Sequence, residues 1–206
     1  VSSETRKYEL KQRAEQQGET RRRIVEATAA LHFELGPAKT TISEIARRAG
    51  VQRATIYNHF SDEEALISAC SENALQELPP PDFGPALAMS TPAARLRAVL
   101  TLMYEWFHRV APVYYPVLKD RGAVPALDRV LQRVVDAPQA ELAASLVAGF
   151  DLVGELEIRV SALIVLSLDF WTWHRLSGEG LSDPACADLM TGVIAALVAT
   201  QDKDIR

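Results

Sequence analysis

The sequence predicts an all-α fold. Three observations carry that prediction. Apolar residues recur at steps of three and four, glycines, prolines and capping residues punctuate those stretches, and no useful length alternates as a half-buried strand would.

Residues 1–19 are polar and charged, with Tyr8 and Leu10 as the few apolar anchors, and read as a flexible or loosely helical arm. From Thr20 onward Ile24, Ala27, Thr28 and Leu31 fall at helical spacing until Gly36-Pro37 ends the helix. Thr41-Ile42-Ser43-Glu44 is a capping box, in which the Thr41 hydroxyl accepts from the Glu44 amide. The helix it opens carries Ile42, Ile45, Ala46 and Ala49 on one face and stops at Gly50, a residue suited to the left-handed conformation there. After Val51 and Gln52 a short helix runs to about Phe60, with Ile56 and Phe60 inward. Ser61-Asp62-Glu63-Glu64 caps a fourth helix, which reaches about Leu78 before Pro79-Pro80-Pro81 breaks the chain. Thr91-Pro92 starts a helix to about Val110, and Pro112 and Pro116 then bracket a short aromatic segment. Three further stretches follow. These are Pro125 to Val147 with a kink or break at Pro138, Glu155 to Leu176, and Pro184 to Gln201 behind the cap Asp183.

With 48% hydrophobic and 24% charged residues, the chain has the composition of an ordinary folded protein rather than a disordered one. The longest nearly pure apolar run, Val160 to Leu168, is under half a membrane span, and the start does not resemble a secretory signal; no membrane role and a cytoplasmic location are expected. Cys70 and Cys186 share no metal-like spacing with the four histidines, so they read as two buried thiols or, alternatively, as a redox pair. No Gly-rich phosphate loop or metal-spaced cluster is present, and an enzyme, a cofactor and a metal are not expected. The net charge of −5 conceals an asymmetry: residues 1–60 hold eleven Lys and Arg against seven Asp and Glu, leaving that part at +4 and the remainder at −9. A basic head on an acidic protein fits a phosphate backbone, or merely a solvated face.

Residues 41–60 decide between them. Two short helices joined by a tight Gly-containing turn, with small Ala46 and Ala49 at the crossing, form a helix-turn-helix. Gln52, Arg53, Ala54 and Thr55 open the second helix, where side chains face base edges in a major groove, and Arg53 has the planar fork that pairs with guanine. Tyr57, Asn58 and His59 lie further along it, where phosphate oxygens come within reach; Thr41 and Ser43 sit at the amide end of the preceding helix, which favours phosphate.

TRRRIVEATAALHFELG followed by TTISEIARRAGVQRATIYNHFSDEEAL resembles the DNA-binding domain of the tetracycline-repressor (TetR) family over about residues 20–70. The resemblance implies a three-helix reader, a fourth linking helix, a C-terminal helical domain that binds ligand, and a dimer. It also implies phosphate roles for Thr41 and Tyr57, base-edge positions for Arg53 and Ala54, and a backbone or base contact for His59. Two departures stand out. Glu63 occupies a position where the family commonly has Lys, and His32 one where it commonly has Phe, as a core histidine or a pH-sensitive group. Arg6, Lys7, Lys11 and Arg13, leading to Arg21-Arg22-Arg23, make the arm either a groove or backbone clamp or a solubilising tail.

The expected organisation is an arm at 1–19, a reader at 20–61, and a ligand-binding and dimerisation domain at 62–206. The last two helices are apolar on every side, which asks for burial on every side and hence a homodimer through them. An aromatic-rich zone supplies the expected effector contacts: Met103, Tyr104, Phe107, His108, Tyr114, Asp169, Phe170, Trp173 and His174. The function expected is a regulator on double-stranded operator DNA, a repressor released by a small lipophilic or aromatic effector. An activator of the same fold and a helical protein-interaction module without DNA binding are the alternatives.

Overall fold

The computed structural model describes the backbone of residues 3–204 and the side chains of residues 6–200; the first two arm positions and the last two of the chain lie outside it. No strand occurs among the described residues. The helices are α1 Ser3–Leu35, α2 Ile42–Ala49, α3 Arg53–His59, α4 Glu63–Glu77, α5 Gly84–Leu87, α6 Pro92–Lys119, α7 Pro125–Leu131, α8 Ala137–Ala148, α9 Gly154–Leu168, α10 Phe170–Gly178 and α11 Asp183–Asp204. They divide into two compact units, one reaching to Leu78 and including Pro112–Leu131, the other comprising Pro79–Ala111 and the chain from Gln132.

In the first unit Ile24, Val25 and Leu31 of α1 pack with Ile45 and Ala49 of α2, Ile56 and Phe60 around α3, and Leu66 and Cys70 of α4. The buried Thr28 hydroxyl donates to Ile24 O at 2.8 Å, so it costs the core no unpaired group. Two polar contacts fasten the second chain segment of this unit to the first. Asp120 Oδ2 accepts from the Ala38 amide at 3.0 Å, and Arg129 Nε donates to Glu64 Oε2 at 2.6 Å. Gly36 sits beside Asp120 at φ 84°, where a Cβ would collide with the carboxylate, so both the backbone and the space demand glycine.

The second unit gathers Leu96, Leu100, Met103, Tyr104 and Phe107 of α6 with Val160, Ile164 and Leu168 of α9, Phe170 and Trp173 of α10, and Cys186 and Ile194 of α11, all buried. Arg97 Nε donates to Asp188 Oδ1 at 2.5 Å, pairing α6 with α11. On α9 Val165 is 55% and Leu166 50% exposed, and on α11 Leu189 is 44% and Val193 45% exposed, an apolar surface that this chain alone leaves in water. By length and composition Asp183–Thr200 would suffice to cross a membrane, with a mean hydropathy of 1.3. It carries Asp183 and Asp188, both engaged by partners within the unit.

Four expectations need correction. The arm is not separate from the first helix: α1 is continuous from Ser3, because Gly18 alone does not interrupt it and i,i+4 pairs such as Lys11–Glu15 support it. The helix expected to stop near Val110 runs through Pro112 and Pro116 to Lys119, each proline forfeiting one backbone hydrogen bond. The helix expected from Glu155 to Leu176 is two helices, broken at Asp169, which adopts extended backbone and caps α10. The residue capping α11 is Ser182, whose hydroxyl accepts from the Ala185 amide at 3.4 Å, while Asp183 accepts from Trp173 Nε1 at 2.9 Å. The break near Pro138 appears as a widened turn over Gln132–Asp136, with Pro138 in the first turn of α8.

Candidate nucleic-acid interface

The helix-turn-helix is built from local signals. The Thr41 hydroxyl accepts from the Glu44 amide at 3.2 Å, satisfying one of the unpaired donors at the start of α2. Gly50 closes α2 at φ 66°, ψ 38°, and Val51 N then donates back to Ala46 O at 3.0 Å, which turns the chain sharply into α3. Buried Ala46, Ala49 and Ile56 let the two helices approach, so the opposite side of α3 must face outward.

Of the residues assigned to DNA, Thr41, Ser43, Gln52, Arg53, Ala54, Tyr57 and Asn58 are exposed, and Thr55 and His59 are half-buried. The structure therefore gathers all nine on one motif, with Tyr57 54% exposed. Charge separates this face from its surroundings. Arg47 is spent on Glu44, and Arg48 on Glu34 at 2.5 Å; these guanidiniums hold both carboxyls below the usual carboxylate range. Arg22 is shared between Glu19 and Glu26. Arg53 has no hydrogen-bond or ion-pair partner among the described residues, so the reading helix presents an unspent guanidinium. Counting charges along the chain could not show which arginines are neutralised.

Sequence reasoning also missed one contact that holds the motif. The Arg21 guanidinium lies 5.0 Å from the Phe60 ring centroid, a cation–π contact at the end of α3. His32 lines a cavity of about 30 Å³ with Thr28, Thr40, Ile45 and Leu66, and burial pushes its pKa down to about 4 against the opposing charge of Asp120. Glu63 lines the same cavity.

The residues assigned to an effector are placed unevenly. Phe107, Phe170 and Trp173 interlock, with ring centroids 5.4 to 5.8 Å apart, and Tyr104 is buried with its hydroxyl donating to Ser167 O at 2.7 Å. Met103 is buried too, whereas His108 and His174 are exposed at the rim against Trp173. His108 Nδ1 lies 3.3 Å from Asp183. Asp169 spends Oδ1 on the Trp171 and Thr172 amides. Tyr114 belongs to the other compact unit.

A capped, glycine-turned helix pair presenting an uncommitted arginine defines a helix-turn-helix DNA-binding protein. Residues 24–70 match the sequence model described as bacterial regulatory proteins, tetR family. The HTH-type transcriptional regulator BetI of Burkholderia mallei is 28% identical over 186 residues, covering 87% of this chain and 93% of that one. TtgR of Pseudomonas putida, another HTH-type regulator, is 42% identical over 55 residues, 27% of this chain and 26% of its own. A tetR-family transcriptional regulator from Streptomyces coelicolor shares the fold at a TM-score of 0.59, with 20% identity over 91% of this chain and 85% of that one. AibR, solved with isovaleryl coenzyme A and operator DNA, does so at 0.58, with 21% identity over 85% of this chain and 97% of its own. Over residues 24–70 this chain is thus similar to the tetR family of regulators.

Proposed function

We propose that this protein is a homodimeric repressor that acts in the cytoplasm and leaves its operator when a small lipophilic or aromatic effector binds. One observation carries the DNA half: α3 turns Gln52, Arg53, Ala54 and Tyr57 to solvent while the neighbouring Arg47 and Arg48 are neutralised. DNA contacts are assigned to 20–61, and effector and dimer contacts to 62–206. The exposed row of Leu189, Val193 and Ala196 on α11, with Val165 and Leu166 on α9, supports pairing with a second copy in a four-helix arrangement. Two reading helices then meet half-sites about 34–36 Å apart, or a multiple of that. The aromatic cluster around Phe107 is the proposed effector region. AibR, a protein of similar fold, was captured with both a thioester and DNA, which supports the same two-ligand logic here. An effector displaces the operator only if it binds the two dimer conformations with different affinity.

Selecting bound fragments from the source genome supplies the operator, on which affinity is then measured against salt. Binding is expected to weaken steeply between 50 and 200 mM salt through counterion release. Arg53→Ala is expected to relax preference at one base position by about 1–3 kcal/mol, and Tyr57→Phe to weaken all sequences alike. Salt-insensitive binding, or an Arg53→Ala variant with unaltered base preference, would refute the reading. Effector candidates titrated into the complex test the release step.

A further inference from the structure

The continuity of α1 changes what its first five turns can do. Arg6, Leu10, Arg13, Gln17 and Arg21 follow one another at steps of three and four, and the same line continues into Ile24, Thr28 and Leu31, which are buried in the first unit. Lys11, Glu15, Glu19, Arg22 and Glu26 form the opposite stripe, where Lys11 pairs with Glu15 and Arg22 pairs with Glu19 and Glu26. Glu15, Glu19 and Glu26 are thus occupied on one side, while Glu9, with no ion pair among the described residues, lies one turn from Arg6 and from Arg13. Arg6, Lys7 and Arg13 are exposed and have no ion pair among the described residues. The cationic line is also anchored to the reader: Arg21 stacks on Phe60, the residue that closes α3. From Arg21 the helix carries Arg13 about 12 Å and Arg6 about 22 Å further out, at a rise of about 1.5 Å per residue.

We propose that this extension of α1 is a second DNA-contacting element, a rigid cationic rail that lies on the phosphate backbone beside the half-site read by α3. The proposal rests on the DNA reading above. Duplex DNA is the partner because the line offers cations spaced along a length of about six base pairs at about 3.4 Å each. It carries a single large apolar residue, Leu10, too little to insert into a lipid surface. Phosphate contacts of this kind add affinity and salt dependence without base preference.

The test measures operator affinity against salt for this chain and three variants. Neutralising the rail in the triple variant Arg6→Gln, Lys7→Gln, Arg13→Gln is expected to lower the slope of log K against log salt by about 2–3, at about 0.9 per phosphate contact, with base preference unchanged. Gly18→Pro keeps every charge but interrupts the helix, and is expected to lower the slope by a similar amount. Gly18→Ala has open space around the new methyl group and is expected to keep the wild-type slope. A triple variant with the wild-type slope, while Arg53→Ala still relaxes base preference, overturns this inference alone. A reduced slope in the triple variant but not in Gly18→Pro overturns it equally, because a loose charged tail would then suffice. Absence of salt-dependent binding by the unaltered protein overturns both this inference and the proposed function.

Discussion

Acidification should destabilise this protein through His32, by an amount that can be worked out. Burial lowers the His32 pKa from 6.5 to about 4, so the folded state holds the neutral ring and the unfolded chain takes up the proton first. The contribution is therefore neutral above pH 6.5, and stability is lost as the pH falls from there towards 4. The full difference amounts to about 3 kcal/mol, of which about 2 kcal/mol is expressed by pH 5. His32→Phe removes the titrating group and fills the same cavity wall with a ring of similar size. Urea unfolding followed by far-UV circular dichroism at pH 7 and pH 5 measures the effect. The wild type is expected to lose about 2 kcal/mol more than His32→Phe over that interval, with carboxylate contributions common to both. Equal losses in the two proteins would show that the ring is not held neutral by its surroundings.

Three further outcomes are expected. Thr41→Ala removes the cap of α2 and should cost about 1 kcal/mol in urea unfolding, because the Glu44 amide loses its acceptor. Val193→Asp places a charge on the exposed apolar row of α11 and should shift the protein to monomers in sedimentation velocity, with operator affinity falling in step. Burial pushes the Cys70 thiol up to about 12, so a disulfide exchange reagent at pH 8 should label it only as fast as the first unit opens. Rapid labelling of Cys70 under native conditions would contradict that environment.

The helix-turn-helix was legible because its signals are local. The Thr41 cap, Gly50 in the left-handed region and the inward spacing of Ile45, Ala49 and Ile56 each act within a few residues. What escaped the sequence is set by partners far along the chain. Pro112 and Pro116 read as breakers, yet α6 continues as a helix through both. No glycine or proline marks the break within Glu155–Leu176; its one signal is Asp169, an N-cap residue type whose carboxylate meets the Trp171 and Thr172 amides. Asp183 sits where a cap would, but an indole ten residues earlier claims its carboxylate and Ser182 takes the capping role. Aromatic spacing pointed to Phe107, Phe170 and Trp173 as a cluster, whereas spacing alone could not tell close packing from an open effector cleft.

The interleaving of the two compact units has a practical consequence for anyone who wishes to transplant the reader. Its carboxylate clip to Ala38 comes from Asp120 and its guanidinium tie to Glu64 from Arg129, both beyond the stretch Pro79–Ala111 that belongs elsewhere. A chimera cut after Leu78 would leave both fastenings behind, and during synthesis the reader would remain incomplete until the ribosome had released residue 131. Grafting it onto another sensor calls for two spliced fragments, not one.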